Sequence, residues 1–227
     1  MSIEQHLIRL SQGEGGVGPT DLMRLCLFDW AVCAIAGRNE PVARVLRAQL
    51  SHDEQPNSAS VVGGGRAPAP MAALINGAIG HALDYDDTHF DHIGHTSAVI
   101  FPTVLAMAGA ASVQQTADLL EAAVVGSEAA VRVGLWLGRG HYQIGFHQTA
   151  TAGAFGACVA AARMSGLAPA LVRHAIGLAA TGASGLKGQF GTMGKPLNAG
   201  LAARCGVEAA LWAQAGMTSD AAGLSGL

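Results

Sequence analysis

Thr149-Ala-Thr-Ala-Gly-Ala-Phe-Gly-Ala-Cys-Val-Ala-Ala-Ala-Arg-Met164 carries no charge before Arg163 and consists mostly of Ala and Gly with a few larger apolar residues. The stretch has helical length, and Ala is the strongest helix former. Pro102–Ser112, Ala117–Leu137, Pro169–Ala183 and Ala199–Ala215 repeat the pattern, each Ala-rich and punctuated by Gly or Pro. No long alternating Val/Ile/Thr run occurs, so a large sheet has no support. Small residues on helical faces permit close backbone approach. The expected fold is all-α, a compact Ala/Gly-rich helical bundle.

Toward the N-terminus, Asp21–Gly37 places Leu22, Leu25, Cys26, Trp30 and Cys33 at helical spacing, with Thr20 or Asp21 as N-cap and Gly37 as stop. Pro41 opens a short helix through Leu50. Ser51–Ser60 is polar and the place where disorder is expected. Val61–Gly65 and Ala67–Pro70 suggest a loop carrying a short strand, and Met71–Leu83 a helix.

The 227 residues suffice for a sizeable core, and 50% of them are hydrophobic but only 5% aromatic. A net charge of −3 offers no basic footprint for nucleic acid. Thr96–Ala117 is uncharged over a membrane-spanning length, yet Pro102, Gln114 and Gln115 interrupt it, and a buried helix fits better. Cys26, Cys33, Cys158 and Cys205 form no C-x-x-C pair. Reduced thiols, the absence of a signal-like start and a cytoplasmic location are the expectation.

Three polar islands interrupt the apolar background. The first is Asn76-Gly-Ala-Ile-Gly-His81-Ala-Leu-Asp84-Tyr-Asp86-Asp87-Thr88-His89, followed by Asp91, His92 and His95. Ionisable groups so crowded are costly unless paired, ligated or used. A metal site, an acid/base pocket and a plain polar connection with Asp caps and solvated His all stay open on these residues. The second is Arg139-Gly-His141-Tyr-Gln-Ile-Gly-Phe-His147-Gln-Thr149, where imidazole and hydroxyl meet a helix N-terminus or Thr149 simply caps it. The third, Gly182-Ala-Ser184-Gly-Leu-Lys187-Gly-Gln-Phe-Gly191-Thr-Met-Gly194-Lys195-Pro, suggests a loop offering amides and ammonium groups to carboxylates. It is neither a Walker A loop nor a serine acyl-enzyme motif.

Taken in order, these segments resemble the MmgE/PrpD family, which includes 2-methylcitrate dehydratase, cis-aconitate decarboxylase and iminodisuccinate epimerase. The matching residues are Asn76-Gly77, His81-Ala-Leu-Asp84-Tyr-Asp86-Asp87-Thr88, and His95 with Ser97 and Pro102. They continue with Gly126-Ser-Glu128, Arg132, Gly145-Phe-His147-Gln-Thr149, Gly153, Phe155-Gly156, Ala183-Ser-Gly185-Leu186, and Gly194-Lys195 with Ala199-Gly200. Thr96 stands where the family often has Pro, and Asn198 where it commonly has His.

The resemblance implies that residues 1–227 are one helical domain whose α/β lid lies outside the chain. It implies a homodimer without cofactor or metal, acting on a small polycarboxylate, with a lid-bearing second polypeptide as a further partner. The implied catalytic groups are Asp84, His95, His147 and Lys195; Thr88 and Thr149, with Lys195 and His147, would bind substrate. The expected function is lyase chemistry, 2-methylcitrate-like dehydration by proton abstraction next to a carboxylate. An isomerase or decarboxylase on the same pocket, and a lidless binding or dimerisation subunit, are the alternatives. Chemically, Lys195 suits a carboxylate as a point charge. His95 and His147 are expected to titrate near neutrality and pass the proton. Asp84 would orient an imidazole or act as base.

Overall fold

In the computed structural model, residues 1–13, 20–50, 57–111, 116–220 and 222–225 are described. In chain order they form α1 (Ile3–Ser11), α2 (Thr20–Gly37), α3 (Pro41–Arg47), β1 (Ser58–Ser60), β2 (Arg66–Pro68), α4 (Ala69–Gly80), α5 (Ser97–Ala111) and α6 (Thr116–Gln143). Then come α7 (Gln148–Thr151), α8 (Gly153–Met164), α9 (Pro169–Gly182), a single 3-10 turn (Lys187–Gln189) and α10 (Gly194–Gln214). The fold is all-α apart from the β1–β2 hairpin, which pairs Ser58 with Pro68 and Ser60 with Arg66.

Every residue of α8 from Gly153 to Ala162 is buried. A helix apolar around its whole circumference belongs at the centre of a bundle. Accordingly α5, α6, α9 and α10 surround α8, and α10 also runs along α4. The α4–α10 crossing is made by glycines: a Cβ on Gly77 would lie 2.9 Å from the Cα of Gly200. The crossing stands about one turn from the end of α4 and just inside the start of α10, so it brings together the two helix ends that carry the polar islands. Asn76, one residue earlier, accepts from the Val62 N–H at 2.9 Å and donates to the Ser60 carbonyl at 2.9 Å, tying α4 to the hairpin.

Several boundaries differ from the sequence expectation, each for a physical reason. Helix α5 begins at Ser97 with Pro102 inside it, because Asp87 accepts from both the Ser97 N–H (3.3 Å) and the Ser97 hydroxyl (2.5 Å). This cap comes from ten residues upstream. Helix α10 begins at Gly194 rather than Ala199, since Pro196 is tolerated in a first turn, where an N–H has no partner to lose. Lys195 is therefore a helical residue, not a loop one. Helix α4 ends at Gly80, with His81 as its C-cap. Gly138, at φ 72°, ψ 171°, breaks α6 and turns the chain toward His141–His147.

Helix α2 buries Met23, Trp30, Cys33, Ala34 and Gly37, while Leu22 and Leu25, expected inside, are exposed together with Phe28, Val32 and Ile35. The helix is apolar on nearly all sides, so periodicity could not choose its face. Trp30 chose it, packing beside Phe101 with ring centroids 6.4 Å apart. Ser58–Ser60, expected disordered, is strand β1; positions 51–56 of that expectation lie outside the described residues. No helix among the described residues is long and apolar enough to cross a membrane.

Candidate active site

The connection from α4 to α5 sorts its acids by direction. Asp84 sits in the left-handed region at φ 58° and leaves its side chain half exposed, whereas Asp86 is fully buried. Asp87 accepts from Ser97, the first residue of α5, and, through its N–H, donates to Asp29 on α2 at 3.0 Å. One short run thus supplies a half-exposed carboxylate, a core carboxylate and a helix anchor.

Lys195, from the first turn of α10, forms an ion pair with Asp84 Oδ1, and its own side chain is largely buried. Burial pushes the Asp84 carboxyl up, but the Lys195 hydrogen bond and charge, with His81 and His95, outweigh it and hold the group below the usual carboxylate range. His95 Nε2 lies 3.6 Å from the same Asp84 oxygen. Its Nδ1 lies 3.1 Å from the Asp86 carbonyl, which can only accept, so Nδ1 carries the proton in the neutral ring. Burial works against the charged imidazole, yet the neighbouring Asp86 and Asp84 raise its pKa above the ordinary histidine value.

His147 is the N-cap of α7 and is buried. Its N–H donates to the Gly185 carbonyl at 3.0 Å, while Phe146 bridges Leu186, so the second and third islands meet as a short antiparallel contact. Asn198 Nδ2 donates to His147 Nδ1 at 3.3 Å, leaving the proton on Nε2. Burial, and then the charges of His81, Lys195 and His95, push His147 down to about 3. The expectation that both histidines titrate near neutrality is corrected: the structure separates them. Neighbouring carboxylates bias His95 toward the charged form, and burial biases His147 toward the neutral one.

Thr88 is exposed, with its hydroxyl 3.4 Å from His95 Nδ1. Thr149 does not cap a helix: it is buried in α7, and its hydroxyl accepts from the His95 backbone N–H at 3.0 Å. All six expected residues thus converge, Thr149 from behind His95. Lys187 takes another course, donating to the Tyr142 carbonyl at 3.1 Å with its ammonium over the Tyr142 ring. Phe190 forms the exposed rim, edge-on to His147 at 5.0 Å and under Lys195 at 5.0 Å.

The buried pair His81 and Asp86 escaped the sequence reading of the site. His81 Nδ1 donates to both Asp86 oxygens, at 3.0 and 2.9 Å, and its ring stacks 5.9 Å from that of His147. The signal was present in the five-residue spacing, but nothing in the sequence separates Asp86 from its neighbours Asp84 and Asp87. Among the described residues, His81, Asp84, Asp86 and His95 bring ligand-type atoms within 4.8 Å of one another, so this group could hold a metal. The Lys195 ammonium already supplies a positive charge at the Asp84 oxygen.

His92, with no exposed surface, gives a prediction. Burial first, then His89 and His95, lowers its pKa to about 4. The unfolded chain, titrating near 6.5, binds that proton first as pH falls. Stability present above pH 6.5 is therefore lost between 6.5 and about 4, amounting to about 3 kcal/mol for this group. Calorimetry across that range should show a falling Tm, with a shallower fall in His92→Leu; identical slopes would contradict the assignment.

Comparison with known proteins places this geometry in context. The family model for the MmgE/PrpD N-terminal domain matches residues 20–226. The chain is 31% identical over 209 residues to cis-aconitate decarboxylase of Aspergillus terreus, covering 87% of this chain and 42% of that one. It is 32% identical over 160 residues to human cis-aconitate decarboxylase, covering 68% of this chain and 33% of that one. The cis-aconitate decarboxylase-like protein oryM of Aspergillus oryzae is 31% identical over 210 residues, covering 87% and 44%. The chain therefore spans less than half the length of the curated relatives it matches.

Proposed function

The chain belongs to the MmgE/PrpD family, and from that premise we propose that it supplies the acid/base pocket of a lyase acting on a small polycarboxylate. The observation that carries the reading is the cluster Lys195–Asp84–His95, one fixed cation beside one imidazole that titrates upward. The named activity of the relatives favours decarboxylation of a cis-aconitate-like tricarboxylate over the dehydration expected from the sequence. Dehydration and epimerisation remain chemically close, because all three place charge at a carbon next to a carboxylate.

In the decarboxylating form, the C–CO2 bond breaks and its electron pair moves into the adjoining unsaturated carboxylate system. Carbon dioxide leaves, the double bond shifts toward the carbon that bore it, and the carbon that receives the displaced pair, next to a remaining carboxylate, takes a proton. Lys195 would hold a substrate carboxylate as that charge develops, replacing part of its contact with Asp84. His95 Nε2, protonated and turned to Asp84, is the proposed proton donor. His147, held neutral, would offer a hydrogen bond, and Thr88 a hydroxyl at the open side. Asp84 keeps Lys195 and His95 in register.

The domain assignment, residues 1–227 as the helical half of a lidded enzyme, belongs to the same proposal, as do a homodimer, a lid-bearing polypeptide over the pocket and a cytoplasmic setting. The exposed rim residue Phe190 supports a cover over the site, and the apolar stripe Leu22, Leu25, Phe28, Val32 and Ile35 on α2 supports association. The test is product analysis on the full-length protein with cis-aconitate, 2-methylcitrate and an epimerisable amino diacid. Carbon dioxide release from the first supports the reading. Water loss from the second alone returns the function to dehydration, and inertness toward all three removes it.

A further inference from the structure

We propose that His81 and Asp86 are a positioning pair for His95: the carboxylate they share, together with the Asp86 carbonyl, holds a proton on Nδ1 of His95 and keeps Nε2 turned to Asp84 and Lys195. Neither member can act on substrate directly, since both side chains are fully buried. They can act only through a neighbour, and His95 is in contact with both. Asp86 Oδ2 lies 3.4 Å from His95 Nδ1, its carbonyl lies 3.1 Å from the same atom, and the His81 and His95 rings are 4.7 Å apart.

A carboxylate without solvent is costly unless its oxygens are fully engaged. Burial raises the Asp86 carboxyl, but hydrogen bonds and charge from His81 and His95 overcome this and keep it ionised. An ionised carboxylate only accepts, so His81 Nδ1 must be the donor. His81 Nε2 then has no partner and no solvent, so a proton there would be unpaired inside the protein. His81 is thereby fixed as an Nδ1 donor to Asp86, and His95 is the second ring that the carboxylate engages. The two rings share the carboxylate, and His95 is the one that also reaches Asp84.

The groups facing His95 are Asp84, Asp86 and Thr88 on its own connection, His92 beside it, His81 at the end of α4, His147 ahead of α7, and Lys195 of α10 through Asp84. Of these only Asp86 touches Nδ1 with both a carbonyl and a carboxylate, which is why it controls the tautomer.

The bearing of this pair on turnover rests on the lyase reading, whereas the wiring itself does not, and the test is chosen accordingly. In full-length protein labelled with 15N-histidine, two-bond proton–nitrogen spectra report the tautomer and titration midpoint of each ring without substrate. His95 should appear as the Nδ1–H tautomer with a midpoint above that of free imidazole. Asp86→Asn, which keeps the carbonyl, should leave the Nδ1–H tautomer in place and carry the midpoint to or below that of an ordinary histidine. His81→Asn keeps a donor near the Nδ1 position and should preserve the parent spectrum. His81→Leu removes the donor, and the His95 midpoint should rise further, because the carboxylate then falls wholly to His95. An unchanged His95 in Asp86→Asn, or identical behaviour of His81→Asn and His81→Leu, overturns the proposal whatever the enzyme turns over. The expected spectra in a protein inert toward polycarboxylates would uphold the pair and remove the lyase reading instead.

Discussion

Lys195→Ala should lower kcat/KM on the polycarboxylate substrate by at least about a hundredfold while the helical fold persists. The reason lies in what the ammonium touches. It is the cation paired with Asp84, and its own side chain is largely buried while the carboxylate is half exposed, so solvent screens the pair only in part. Removing one member of a buried charge pair costs about 2–5 kcal/mol, the half-exposed Asp84 puts this pair near the low end, and each ~1.4 kcal/mol is tenfold. The loss should fall on both kcat and KM, because Lys195 is proposed to meet substrate and the charge developing on it. Lys195→Arg should restore little, since a planar fork does not replace a compact ammonium beside Phe190. Steady-state kinetics with circular dichroism on the same samples decides this. A folded Lys195→Ala protein with parental kcat/KM would move the active site elsewhere.

Gly200→Val should destabilise the chain by about 3 kcal/mol or more, a Tm loss on the order of 6–12 °C for a protein of this size. A Cβ at Gly200 would lie 2.2 Å from the Leu74 carbonyl oxygen and 3.1 Å from its carbon. Those are backbone atoms of a fully buried helix, so relief requires α4 and α10 to part rather than a side chain to rotate. Parting them also separates His81, at the end of α4, from Lys195 and Asn198, at the start of α10. Activity should therefore fall below what the folded fraction explains. Scanning calorimetry with kinetics well below the transition checks both, and a parental Tm would show that the helices do not meet at this glycine.

These two substitutions also show what was legible before any coordinates. The all-α class was, because Ala-rich runs of helical length with no alternating stretch leave few other folds. The convergence of Asp84, Thr88, His95, His147, Thr149 and Lys195 followed from the family motifs, and the geometry brings those residues together. The start of α5 was not legible, since its cap, Asp87, lies ten residues away and Pro102 looked like a beginning. The buried face of α2 was not legible either, because apolar residues line it on nearly every side. Within the site, no local pattern separates Asp84 from Asp86. Only the left-handed turn at Asp84 sends one carboxylate to the pocket and the other into the core. The opposite proton affinities of His95 and His147 likewise come from tertiary neighbours, carboxylates for one and burial among cations for the other.

The most direct test of the proposed chemistry is where deuterium goes when the full-length protein acts on cis-aconitate in heavy water. One deuterium on the carbon that receives the displaced electron pair, next to a remaining carboxylate, with the rate falling together in His95→Gln and Lys195→Ala, is the expected result. Product formed at parental rate by both variants, or no product and no C–H exchange from the parent, would contradict the assignment of this pocket to lyase chemistry.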